Sequence, residues 1–157
     1  MLSIRPGTAG DLAQVAVLEI GPDTAMWLGE TGLAWHERAL ADPDQEHLVA
    51  DDDGRLAGFA LLAGLAGGGH AVELRRMAVD PARRGAGLGR LLLRAALARA
   101  RDEHGARRVW LDVKAHNLRA RALYESEGFT LTDTPAAEMV EADGTTSELV
   151  VMARPVR

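Results

Sequence analysis

The chain has 157 residues, with 18 Lys+Arg against 23 Asp+Glu for a formal net charge of -5, and it is 47% hydrophobic and 26% charged. That length suits one domain over residues 1–157, at the usual size of roughly 100–200 residues, and its apolar content excludes a disordered chain. The mild acidity argues against a nucleic-acid partner held through phosphate charge and against a polybasic membrane-surface protein; the absence of cysteine excludes disulfides, a Cys nucleophile and thiolate metal sites.

Leu2 to Arg5 reads as a short strand stopped by Pro6-Gly7. Thr8 then caps a helix from Ala9 to about Ile20, with Leu12, Val15, Ala16 and Glu19 at helical spacing. Gly21-Pro22 ends it, and Thr24 to Leu40 reads as one interrupted helix or two short ones. His47–Ala50 and Arg55–Gly64 flank the Asp-Gly turn of Asp51–Gly54 as a hairpin. Gly67–Gly69 reads as a second turn. Ala71 to Val79 is the next strand, closed by Asp80-Pro81 because proline cannot donate to a ladder.

Leu88 to about His104 carries the clearest helical pattern, with Leu88, Leu91, Leu92, Ala95 and Ala98 on one face and Arg90, Arg94 and Arg101 on another. Val109, Leu111 and Val113 alternate with Trp110 and Asp112 as a strand, and Leu118 to Glu127 reads as a short helix capped by Asn117 and followed by Gly128. Phe129–Leu131 and Glu148–Met152 are the final strands, with a polar turn at Asp143-Gly144. This order predicts an α/β fold of the α+β type: a mixed, mostly antiparallel central sheet flanked by helices. The meander before Asp80 is expected to be antiparallel, and the unit from Ala71 through Val113 a parallel crossover.

No basic and apolar leader opens the chain, and the longest apolar run, Phe59–Ala63, is far short of the roughly 20 residues of a membrane span. The chain therefore reads as a cytoplasmic protein. His36, His47, His70, His104 and His116 show no paired spacing, so no metal is expected. Ser3, Ser126 and Ser147 lack a nucleophile elbow.

The most informative stretch runs from Val79 to Arg90: a strand ends, a basic glycine-rich loop follows, and a long helix begins. Gly85, Gly87 and Gly89 let the backbone approach a ligand closely. The helix start offers unpaired N–H groups and a positive dipole end, and together these make an anion site suited to phosphate. The residues after Gly87 are Leu-Gly-Arg, not the Lys-Ser/Thr of a P-loop, and G-x-G-x-G is not the Rossmann spacing. A diphosphate outside both classes fits better.

Arg84-x-x-Gly87-x-Gly89 after Met77-Ala78-Val79 resembles the acyl-CoA signature of the GNAT N-acetyltransferase superfamily, and Asn117 through Ala122-Leu123-Tyr124 to Gly128-Phe129 is similar to its later motif. The two blocks span about Glu73 to Phe129. The resemblance implies a GNAT-like fold with acetyl-CoA as co-substrate. Its diphosphate would sit on the amides of Arg84, Gly85, Ala86, Gly87, Leu88 and Gly89, with Arg90 also binding the cofactor. Its pantetheine arm would lie along Met77, Ala78 and Val79, with a main-chain N–H near Met77 polarising the thioester. A bulge in that strand would free its edge. Asn117 would add a cofactor contact to its capping role, while Arg119 and Arg121 reach cofactor phosphate or stay solvated. Tyr124 aligns with the tyrosine near the departing sulfur.

An acceptor amine at pKa ~10.4 is neutral in about one molecule in 2,500 at pH 7, so a base is useful. The resemblance offers Glu73, which otherwise makes a cross-strand ion pair or stands as an exposed edge carboxylate; Asp112 on the neighbouring strand is a rival. Trp27 and Trp35 either line the acceptor site or pack a helix on the sheet.

The implied activity is acetyl transfer from acetyl-CoA to a primary amine, on a small molecule or a protein, by direct attack in a ternary complex. Net negative charge favours a cationic amine. The alternative is a non-catalytic acyl-CoA sensor of the same fold. A homodimer through the C-terminal strands is common in such folds.

Overall fold

The computed structural model describes residues 1–68 and 70–157, with the backbone alone at 22 and 23; the last glycine of the expected turn Gly67–Gly69 lies outside the described residues. The strands are β1 (Leu2–Pro6), β2 (Gln45–Asp52), β3 (Arg55–Ala63), β4 (Ala71–Val79), β5 (Arg108–Lys114), β6 (Thr130–Leu131), β7 (Ala137–Val140) and β8 (Thr146–Pro155). They form one sheet in the order β1-β2-β3-β4-β5-β8-β6, with β7 also pairing β8. Neighbours are antiparallel except β4 and β5, which run parallel as the crossover pattern predicts. The architecture is the expected mixed α+β one.

The helices are α1 (Leu12–Leu18), α2 (Pro22–Ala25), α3 (Leu33–Ala41), α4 (Leu88–Asp102) and α5 (Leu118–Ser126). Both faces of β3 are covered, which is why Leu56 through Ala63 is a nearly continuous apolar run. On one face, Leu92, Leu93, Ala96, Leu97 and Ala100 of α4 pack on Leu62, Val72, Leu74, Val109 and Leu111. On the other, Val15 and Leu18 of α1 meet Val49, Phe59 and Ala78.

Three sequence expectations need correction. The first helix is broken: Ala9–Asp11 is a tight 3-10 turn and α1 starts only at Leu12. The Asp11 carboxylate accepts from the Thr8 amide at 2.7 Å and from Arg5 at 2.8 Å, which draws that first turn in and holds the Asp11 carboxyl down at about 2. The buried face of α4 is also turned relative to the predicted one. Leu91 is half exposed, and Leu93, Ala96 and Ala100 take the inward positions. Finally, β7 was not anticipated; its residues are mostly exposed and show no clear alternation.

Between α1, α3 and the sheet lies a buried polar chain. Glu19 Oε1 stands 2.9 Å from His36 Nε2, and His36 Nδ1 stands 3.0 Å from His47 Nε2. Among the described residues neither Glu19 Oε2 nor His47 Nδ1 finds a partner. With His36 donating to the carboxylate, His47 donates to His36 and its Nδ1 stays bare and neutral. Burial, then the nearby His36, lowers the His47 imidazole to about 4, against about 6.5 when unfolded. The unfolded chain therefore takes up a proton that the fold excludes, and stability falls as pH drops from about 6.5 towards 4. The melting temperature is expected to fall more steeply over that window in the parent than in His47→Gln. Equal slopes would mean that His47 is not the group held neutral.

Candidate active site

The pairing of β4 changes along its length. Leu62 lies opposite Leu74 and Leu61 opposite Arg76, so Arg75 is one residue too many for β3. Such a bulge bends its strand. Parallel pairing with β5 is confined to Ala71–Glu73 against Arg108–Trp110. Beyond Glu73 the β5-facing edge of β4 has no strand partner among the described residues.

The gap holds a cavity of about 590 Å³. Leu74 through Val79 line one side, and Asp112, Val113 and Lys114 of β5 line the other. Trp27, Leu28 and Gly29, after α2, also line it, together with Met139 and Leu149. The glycine loop and α5 complete the lining.

That loop is held from below. The Asp80 carboxylate accepts from the Ala82 amide at 3.0 Å and caps a 3-10 turn at Pro81–Arg83. Gly85 (φ 86°) and Gly87 (φ 78°, ψ 8°) are left-handed, and Gly87 is the residue from which α4 starts. A Cβ at either would meet nothing within 4 Å; glycine is demanded by backbone angle, and the space beside the loop is open. The amides of Gly85 through Arg90 find no acceptor among the described residues. Arg83 pairs with Asp52 at 2.7 Å and Arg84 donates to Thr24 Oγ1 at 2.8 Å, while Arg90 reaches Ser126 Oγ at 2.9 Å. Consecutive free amides among arginines suit a diphosphate.

Of the residues singled out from sequence, Met77, Ala78, Val79, Arg84, Gly85, Gly87, Leu88, Gly89, Arg90, Asn117 and Tyr124 all line this one cavity. Ala86 lies in the same loop but not in the lining. Asn117 caps α5 by accepting from the Ala120 amide at 3.3 Å. Arg119 lines the cavity; Arg121 does not and donates instead to the Ala115 carbonyl at 2.9 Å. Trp27 lines it too, whereas Trp35 lies beneath the Arg76 guanidinium, 3.9 Å from its ring centroid.

Tyr124 is half-buried, packed 5.7 Å from the Phe129 ring, and desolvation pushes its hydroxyl up to about 12. The phenol is thus a firm hydrogen-bond donor at neutral pH. Glu73 is buried outside the cavity lining, where its carboxylate accepts from Arg75 Nε at 2.9 Å. Burial raises its carboxyl, and Arg75 pulls it part of the way back. Asp112 lines the cavity, is exposed, and has no hydrogen-bonded or ion-paired partner among the described side chains. Desolvation by its surroundings raises it too, again against Arg75.

Two buried cations escaped the sequence analysis. Arg76 touches Glu19 Oε1 at 3.3 Å. Lys114 donates to the Met26 carbonyl at 2.6 Å and pairs with Glu141 at 2.7 Å, tying the wall after α2 to the turn between β7 and β8. The signal for Lys114 was its place two residues after Asp112, on the strand face opposite Val113. For Arg76 it was Glu19, a carboxylate on an apolar helix face. Among the described residues no cluster of acidic or histidine side chains suits a metal ion, and no helix is long and apolar enough to cross a membrane.

Comparison with known proteins places this geometry. Residues 12–129 match the model of the acetyltransferase (GNAT) family, whose members use acetyl-CoA. An uncharacterized N-acetyltransferase of Mycobacterium bovis is 39% identical over 95 residues, 60% of this chain and 59% of that protein; the chain thus spans about three-fifths of that relative's length. The [ribosomal protein bS18]-alanine N-acetyltransferase of Escherichia coli strain K12 is 30% identical over 125 residues, 78% of this chain and 81% of that one. A putative acetyltransferase from Salmonella typhimurium, solved with its cofactor acetyl-CoA, superposes with a TM-score of 0.76 at 26% identity over 99% of this chain and 94% of its own. The chain belongs to the acetyltransferase (GNAT) family.

Proposed function

We propose that the chain transfers the acetyl group of acetyl-CoA to a primary amine, on a small molecule or a protein, by direct attack in a ternary complex, as a cytoplasmic enzyme. The observation that carries this reading is that the free amides of Gly85–Arg90, the unpaired edge of Met77–Val79 and Tyr124 border one cavity. The amides suit the diphosphate, and the strand edge suits an extended, amide-bearing pantetheine arm. A main-chain N–H near Met77 suits the thioester oxygen, where negative charge develops during attack.

The balance of the step is simple. The amine nitrogen bonds to the acetyl carbon, the C–S bond breaks, and one amine proton passes to a carboxylate. Transfer of the Tyr124 proton to a thiolate of pKa about 8.5 would be uphill by roughly 5 kcal/mol. Tyr124 therefore donates a hydrogen bond to the departing sulfur and keeps its proton, and the thiolate is protonated from solvent. Glu73 serves as the base through water, with its raised carboxyl steadied by Arg75. Asp112 is the second reading, favoured by its place in the lining and by having no side-chain partner among the described residues.

Tyr124→Phe is expected to lower kcat on the order of 100-fold while acetyl-CoA binds with nearly unchanged Kd. An unchanged kcat with an accepted amine removes Tyr124 from the step. The two carboxylates separate in pH–rate profiles: the acidic limb of kcat/KM is lost or displaced in Glu73→Gln if Glu73 is the base, and in Asp112→Asn if Asp112 is. A profile unaltered in both would mean that neither takes the proton.

A further inference from the structure

The chain is acidic as a whole, but its cavity is not. Among the described residues lining it, seven are Arg or Lys and Asp112 is the one carboxylate. Arg83, Arg84, Arg90 and Arg119 belong to the glycine loop and the helices beside it, where the cofactor's phosphates are assigned. Arg75, Arg76 and Lys114 lie at the acceptor end. Two of these are committed elsewhere: Arg75 donates to Glu73, and Lys114 to Met26 and Glu141.

Arg76 is different. Its guanidinium makes a single long hydrogen bond within the described residues, Nη1 to Glu19 Oε1 at 3.3 Å. That same oxygen already receives His36 at 2.9 Å. The Trp35 ring fixes the guanidinium plane from one side, and the side chain is only 8% exposed. None of its nitrogens is among the buried atoms left without a partner, so its remaining donors keep some access, and Arg76 lines the cavity. A buried, planar, five-donor fork held in place and only partly used is suited to a carboxylate.

We propose that the acceptor is itself an amino acid: Arg76 binds its carboxylate, Asp112 on the facing strand meets its ammonium before deprotonation, and an apolar side chain lies against Trp27, Leu28, Met139 and Leu149. Glu19 and His36 position Arg76 and do not touch the acceptor. This rests on the acetyl-transfer reading above and narrows it against polyamines, which would bring further positive charge to an end already rich in cations.

The test uses L-leucine, L-leucinamide, 3-methylbutylamine and spermidine with the full chain. Thiol release is measured with acetyl-CoA, and binding to the CoA-saturated protein by calorimetry. Leucine is expected to exceed its amide and its decarboxylated counterpart roughly tenfold or more in kcat/KM and in affinity, as a charge-assisted pair should. In Arg76→Gln with Glu19→Gln, which removes both buried charges together, that preference should vanish through KM. Preference for the amide, for 3-methylbutylamine or for spermidine overturns the inference, as does a carboxylate preference that survives the double substitution. Selective binding of leucine without thiol release from any amine keeps Arg76's role and refutes acetyl transfer. Turnover of the amines with no binding of leucine does the reverse, and neither binding nor turnover refutes both.

Discussion

The parting of β4 from β5 after Glu73 is the feature on which the rest of this molecule depends. A central parallel pair normally exchanges its main-chain hydrogen bonds along its whole length, and leaving such groups unpaired is costly unless something else takes them. Here the ladder stops after three residues, and Arg75 is inserted at the point where it stops. The insertion turns Met77 through Val79 into an edge inside the sheet. The same divergence makes room for the cavity and sets the loop after Val79 beneath the start of α4. A ligand with an extended, amide-bearing arm and an anionic end restores what the sheet gives up.

Around that gap the charges are sorted by position. Arginines and free amides gather where the chain leaves β4. The other end is framed by cations with structural partners, Lys114 bridging two walls and Arg75 restraining Glu73. Behind this end, the Glu19–His36–His47 chain carries polar groups deep into the layer under α1 and α3. A buried carboxylate and two imidazoles are expensive to house, and their carboxylate also accepts from Arg76, which lines the cavity. The phenol of Tyr124, its hydroxyl pushed up by desolvation, borders the same cavity from α5.

The sequence showed the fold clearly wherever a single local cause decided the structure. Asp80-Pro81 stops β4 where expected, Gly87 starts α4, and Asn117 caps α5, because turn and cap chemistry is written within a few residues. The glycine loop was legible for the same reason. What failed depended on contacts distant in the chain. The α4 face was misread because Leu91 and Leu92 are equally apolar, and only the sheet beneath decides which one turns inward. The split first helix follows from Arg5 reaching Asp11, and β7 exists through its pairing with β8. The bulge was anticipated from the resemblance, and the residues only hint at it: Arg76 lies between Leu74 and Ala78, which could otherwise share an apolar face. The Arg76 cluster, drawn from α1, α3, β2 and β4, has no local signature beyond a carboxylate among apolar neighbours.

The most direct test of this account is the perturbation of backbone amide resonances in isotope-labelled protein titrated with acetyl-CoA. The account predicts the largest shifts at Gly85 through Arg90 and at Met77 through Val79, with the Phe129 amide moving less. Shifts centred elsewhere, or resonances of the Gly87 and Gly89 amides that stay still at saturation, would contradict it.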